Sequence, residues 1–229
     1  LSLVAFIART IYVTTIALIS ISRVGHTTSL SDDATQCICL GVDVLTRHPR
    51  PDPRHANSED AINLSKICKA NNIEFNLEGN PFAMANGEFV GFKELCTLTS
   101  PDQVTLVPDD LQQITSDHGW QPGHLNDELK DFIGLFQYLK TRTSLFIDAT
   151  TRSVEYAAEI GFDRIEIYTG PFAHFLEDSD LVNFQLCKNQ ISECIQKGNQ
   201  SNLGINAGHD LNLDNLPHLI ECGGVDEVS

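Results

Sequence analysis

The stretch His48-Pro49-Arg50-Pro51-Asp52-Pro53-Arg54-His55 places three prolines, two arginines and two histidines within eight residues. Proline fixes the backbone, so neighbouring side chains lose little freedom on being positioned. Arginine forks grip phosphate oxygens in bidentate fashion. Histidine titrates near neutral pH and moves protons. Together these residues read as a rigid loop for phosphate binding and acid–base work. The alternative reading is a solvated proline-rich turn with incidental charge. Two further positions invite the same chemistry. Glu78 follows Ile73-Glu74-Phe75-Asn76-Leu77, and a carboxylate at the end of an apolar run is a candidate base with a raised pKa. His209 lies in Asn206-Ala207-Gly208-His209, where small residues let a ligand come close.

Positioning these groups requires a frame, and the sequence alternates between two kinds of segment. Apolar, β-branched runs occur at 11–19, 42–46, 73–77, 103–107, 144–147, 164–168, 203–206 and 225–228. Helical patterns separate most of them. Asn57 or Ser58 caps a helix to about Ala70, and Asn126 caps one over 127–140. Thr151 caps one stopped by Gly161, Ser179 caps a long one through Ile195, and 212–222 reads as an amphipathic helix. Segments 30–40 and 91–99 carry weaker helical patterns. Strand, helix, strand, repeated, predicts a parallel sheet with right-handed crossovers. Eight such units predict an α/β (β/α)8 TIM barrel, a single domain over residues 1–229. The last run ends at Ser229, so the end of strand eight and the last helix are expected to be lacking. No glycine-rich fingerprint follows an early strand, which counts against a doubly wound dinucleotide fold. Barrel sites form at the C-terminal ends of the strands. Polar residues follow the runs there: His48 to His55, Glu78, Thr115 to His118, Asp148, Thr169-Gly170, and His209-Asp210.

Composition narrows the partners. The chain has 229 residues, with 15 Lys plus Arg against 31 Asp plus Glu, a formal net charge of −16. Phosphate backbones and anionic membranes select basic surfaces, so neither nucleic acid nor membrane is an expected partner. Residues 1–21 are mostly apolar, but Arg9 interrupts them and the pattern fits neither a membrane span nor a signal peptide. The seven cysteines are odd in number and irregular in spacing, which fits a reducing, cytoplasmic setting better than a disulfide framework. Cys37 and Cys39 have no second pair at zinc-site spacing, so no metal site is expected.

The chain resembles the pyridoxine 5′-phosphate synthase family of vitamin B6 biosynthesis over roughly residues 40–229. The motifs that carry the resemblance stand in one order. They are His48-Pro49-Arg50-Pro51-Asp52 with Arg54-His55, Phe75-Asn76-Leu77-Glu78-Gly79, and Gln103 to Asp109. They continue with Ile114-Thr115-Ser116-Asp117-His118-Gly119-Trp120, Ser144 to Asp148, Ile165-Glu166-Ile167-Tyr168-Thr169-Gly170, and Gly204 to His209. The resemblance implies a barrel that assembles as a homo-octamer. It implies condensation of 1-deoxy-D-xylulose 5-phosphate with 3-amino-2-oxopropyl phosphate to pyridoxine 5′-phosphate, with no metal or organic cofactor. By motif, His48 and Glu78 would be proton acceptors and His209 the proton donor. Arg50, His55 and Thr115 would hold the deoxyxylulose phosphate, and Arg23 with Asp210 the aminoketone phosphate. Two departures stand out. The family's first strand carries an Asn-x-Asn/Asp-Lys/His stretch, where this chain has Tyr12, Thr14 and Thr15. The family's Gly-His pair after strand eight falls beyond Ser229. The alternative these departures support is a noncatalytic remnant that binds a phosphosugar or only partner subunits.

Overall fold

The computed structural model describes residues 30–52, 56–110, 113, 115–124 and 126–229, together with the backbone of a short strand at Tyr12–Val13. The strands are β1 (Tyr12–Val13), β2 (Val44–Arg47), β3 (Glu74–Gly79), β4 (Gln103–Leu106), β5 (Arg142–Ile147), β6 (Arg164–Tyr168), β7 (Gly204–Gly208) and β8 (Glu227–Val228). All recorded pairings are parallel, in the order β1-β8-β7-β6-β5-β4-β3-β2. The pairing of β1 with β8 wraps the sheet, as a (β/α)8 barrel requires. Among the described residues no pairing joins β1 to β2.

The helices are α1 (Leu30–Cys39), α2 (Ser58–Asn71), α3 (Phe92–Thr99), α4 (Asn126–Leu139), α5 (Thr151–Ile160), α6 (Gly170–Glu177), α7 (Leu181–Gln200) and α8 (Leu216–Ile220). The longer helices bury a stripe at helical spacing, whereas α1 and α8 bury one residue each, Ala34 and Leu219. On α4 the stripe is Leu129, Phe132, Ile133 and Phe136. These stripes pack on alternate strand residues, among them Leu45, Leu77, Leu106, Leu145, Ile147, Ile165, Ile167 and Ile205. Most of the intervening strand residues are polar and buried, Thr46, Asn76, Thr105, Ser144, Glu166, Asn206 and Glu227, with Phe146 an apolar exception. Strand side chains alternate faces, so these line the barrel interior. There they bond to one another. Asn76 donates to Thr46 and Thr105 hydroxyls, each at 3.1 Å, and Asn206 donates to Glu227 at 2.7 Å.

Several boundaries differ from the sequence reading. Asn57 caps α2 in a full capping box with Asp60. Thr150, not Thr151, caps α5, because its hydroxyl accepts the Ser153 N–H. Asp180, not Ser179, caps α7; Ser179 has a φ of +59° and forms the bend after α6. The pattern over 212–222 condenses to the short α8, preceded by a turn in which Asn212 and Asn215 bond each other's backbone. Helix α6 is not foreshadowed by the sequence pattern; Pro171 in its first turn has the φ a helix start needs. The seven cysteines are all free, and no helix among the described residues is long and apolar enough to cross a membrane.

Candidate active site

His48 follows β2 directly. Its loop closes on itself through a bridge of Pro49 with Ala56 and an Arg50 N–H donated to the Ala56 carbonyl at 3.2 Å. Behind it, the α2 capping box and an Arg47–Asp60 ion pair at 2.9 Å fix where the loop ends. The His48 ring therefore has little room to wander. Its Nδ1 lies 3.4 Å from Glu78 Oε1 and its Nε2 lies 3.5 Å from Asp109 Oδ2.

Glu78 projects from β3 and sits beside other acids. Burial first, then the charges of Glu166 and Asp109, push its carboxyl well above the usual carboxylate range, and Arg50 opposes them. Glu166, inside the barrel on β6, is raised to about 7, chiefly by burial, with Glu227 adding and the Ser229 hydroxyl and Arg164 opposing. Burial and mutual repulsion thus favour the protonated form at both carboxyls.

Arg50 is buried, and its guanidinium is turned toward the β4–α4 loop. Nη2 donates to the carbonyls of Asp110 at 2.9 Å and Gln113 at 2.7 Å, and Nη1 lies 3.4 Å from Asp109 Oδ2. That loop then crosses the barrel mouth. Thr115 Oγ1 lies 3.0 Å from His209 Nε2 at the end of β7. Further along, Gly119 donates to Asp148 at 2.8 Å, and the Trp120 indole donates to the Leu106 carbonyl at 2.9 Å.

His209 and Asp210 both have positive φ, at +95° and +58°. Such backbone is costly for residues with a Cβ and persists where surroundings enforce it. Here the Thr169 hydroxyl donates to the His209 carbonyl at 2.6 Å, and Asn215 donates to the Asp210 carbonyl at 2.9 Å. The turned-out imidazole meets Asp210 Oδ2 at 2.8 Å through Nδ1 and stands edge-on to the Tyr168 ring at 5.1 Å. A cavity of about 470 Å³ opens beside His48 and Arg50, walled opposite by Phe82, Ala83 and Met84.

Of the residues singled out in the sequence, His48, Glu78 and Arg50 form one cluster, and Thr115, His209 and Asp210 form a second across the mouth. Arg23 and His55 lie outside the described residues, as do Thr14 and Thr15 and the side chain of Tyr12. Asp109 and Glu166 stand inside motifs read from the sequence without being given a role there, and the structure sets both beside the others. The signal for Glu166 is a charge between two isoleucines in a strand buried on both faces. The signal for Asp109 is weaker, an acid behind Pro108 at a strand end.

The chain is similar to known proteins in sequence and in fold. A family model described as "Pyridoxal phosphate biosynthesis protein PdxJ" matches residues 10–229. The pyridoxine 5′-phosphate synthase of Xanthomonas axonopodis pv. citri is 42% identical over 219 residues, covering 93% of this chain and 83% of the relative. That of Xylella fastidiosa is 43% identical over 185 residues, covering 80% and 69%. Among solved structures, deoxyribose phosphate aldolase from Aeropyrum pernix superposes with a TM-score of 0.59 at 12% identity, covering 96% of this chain and 85% of that one. Thiamine phosphate pyrophosphorylase from Pyrococcus furiosus gives 0.56 at 11%, covering 95% and 83%. At that identity the likeness concerns the fold alone.

Proposed function

The chain belongs to the pyridoxal phosphate biosynthesis protein PdxJ family, and on that premise we propose that it is a pyridoxine 5′-phosphate synthase. As a single barrel domain, it condenses 3-amino-2-oxopropyl phosphate with 1-deoxy-D-xylulose 5-phosphate, releasing phosphate and water. The amine adds to the ketone and loses water to give an imine. Proton removal from carbon, departure of phosphate and ring closure with further water loss complete the pyridine. Every stage moves protons, and none needs a redox change.

The observation that carries this reading is the contact of Thr115 with His209, which ties the loop after β4 to a second imidazole at the end of β7, beside the separate His48–Glu78 pair. Two separate acid–base groups suit a substrate that must lose protons at one point and gain them at another. In this reading His48 and Glu78 accept protons and His209 donates. Thr115, His55 and the Arg50 donors not taken by loop carbonyls hold the deoxyxylulose phosphate. Arg23 and Asp210 serve the aminoketone phosphate. A cytoplasmic homo-octamer, with small phosphorylated molecules as its partners, fits the family.

The test is chromatographic detection of pyridoxine 5′-phosphate from the two phosphates. The purified chain should form it, and His48→Ala or Glu78→Ala should lower the rate by about 10²–10⁴-fold, the usual worth of a general acid or base. Full activity in either variant overturns the role assignment. A folded chain that binds deoxyxylulose phosphate without turnover would instead be a noncatalytic member, the reading that Tyr12, Thr14 and Thr15 favour.

A further inference from the structure

Asp109 is buried, its side chain only 4% exposed, and it touches three separate parts of the site. Its Oδ2 accepts the Ser116 hydroxyl at 3.0 Å, lies 3.4 Å from Arg50 Nη1, and lies 3.5 Å from His48 Nε2. Its backbone carbonyl accepts from Asn80 at 2.7 Å, which pins it from the β3 side. Oδ1 is buried with no hydrogen-bond partner among the described residues. An aspartate retained only to neutralise an arginine would use both oxygens in a fork. Here one oxygen accepts from Ser116 and faces Arg50 and His48 as well, groups drawn from two loops. Burying a carboxylate this way is costly, so the arrangement calls for a return in function.

We propose that Asp109 is a positioning residue: its carboxylate holds the His48 imidazole against Glu78 and ties that ring to the loop that carries Thr115. The inference rests on the acid–base reading of His48 given above. The ring has two nitrogens, and a base that works through one needs its tautomer set at the other. Glu78 meets Nδ1 and Asp109 meets Nε2. Because Ser116 neighbours Thr115, the same carboxylate sets the ring and registers the substrate loop.

Among the described residues, the charged groups near the His48 ring include Glu78 from β3, Asp109 from the β4–α4 loop and Arg50 from its own loop, with Glu166 of β6 behind Glu78. Asp109→Asn changes only one of these. The His48 ring proton, identified by its loss in His48→Asn, is followed through a pH titration by NMR. Its proton affinity should fall about tenfold in Asp109→Asn, which moves the midpoint down by about one on the pH scale. In the product assay kcat should fall at least about tenfold, with KM for deoxyxylulose phosphate within about threefold. Asp109→Glu, which restores the charge, should recover most of both. Ser116→Ala, which cuts the tie to the Thr115 loop without touching the ring, should leave the midpoint unmoved and raise KM for deoxyxylulose phosphate more than it lowers kcat.

An unmoved midpoint in Asp109→Asn overturns the inference, as does a loss in Ser116→Ala equal to that in Asp109→Asn. If the Asn variant does not fold, Asp109→Ser is read the same way. If the unmodified chain makes no product, the functional reading falls while the titration still decides the role of Asp109. If Asp109→Asn is fully active with its midpoint unmoved, the functional reading stands without this residue.

Discussion

Glu166 shows what an interior carboxylate does to stability. It is 5% exposed, it accepts the Ser229 hydroxyl at 2.8 Å, and burial holds its pKa at about 7, above an ordinary glutamate near 4.5. A raised acid binds a proton in the folded state that the unfolded chain has already released. Its contribution is therefore most favourable below about pH 4.5, is lost as pH rises toward 7, and levels off above that. The full loss is on the order of 3 kcal/mol, since each tenfold change in proton affinity is worth about 1.4 kcal/mol. Glu78 adds in the same direction. Glu166→Gln should accordingly be more stable than the unmodified chain at pH 8 by about 1–3 kcal/mol, with the difference vanishing near pH 5. Urea denaturation at both pH values checks this; an equal difference at the two would place the effect in packing rather than titration. At this scale the sequence is legible where residue type and local spacing suffice, as for His48, Glu78 and His209. Asp109 and Glu166 gain their meaning from neighbours 60 or so positions away, such as Arg50 and Ser229, which no local window contains.

The elements set how firmly those residues are held, and the loop between β4 and α4 is the clearest case. Gly119 docks it on β5, and a Cβ there would run into the backbone of Ile147 and Asp148. Gly119→Ala should lift the loop, cost roughly 1–3 kcal/mol as overpacking does, and raise KM for deoxyxylulose phosphate more than it lowers kcat, since Thr115 rides on the same segment. Steady-state kinetics with thermal melts read both effects. At the other wall, Asn57→Ala removes the α2 cap, and a stability loss of about 1 kcal/mol is expected from urea denaturation. Strand positions are legible because parallel strands buried on both faces are dense in apolar, β-branched residues. The true strands alternate, however, as in Phe75-Asn76-Leu77-Glu78 and Ile165-Glu166-Ile167, and polar members such as Asn76 turn inward to bond to neighbouring strands. The inward direction depends on closure of the sheet, a property of no single strand. Helix α6 is hidden for a similar reason. Its eight residues follow β6 after the single residue Thr169, so the strand's rim and the helix start share Thr169-Gly170.

The whole molecule works against its own charge. At −16, the 31 acids outnumber the 15 bases about two to one, yet the substrates proposed for it are phosphates. Among the described residues, the arginines near the mouth are committed locally: Arg50 to loop carbonyls and Asp109, Arg47 to Asp60. Arg142 pairs with Glu74 and Arg164 with Glu227, both at the far end of the barrel. The long-range field therefore repels an approaching dianion until it is within reach of the short-range donors, and self-repulsion also strains the fold. Both effects are screened by salt, because at 0.15 M the Debye length is about 8 Å. Raising NaCl from low to physiological concentration should raise the melting temperature by about 2–4 °C, the equivalent of roughly 1 kcal/mol for a chain of this size. Over the same range kcat/KM should rise, and it should fall again only at higher salt, where direct phosphate contacts are screened. A monotonic fall of kcat/KM with salt would mean that attraction by a local basic surface outweighs the net charge, and would direct attention to Arg23, Arg54 and His55 as its source.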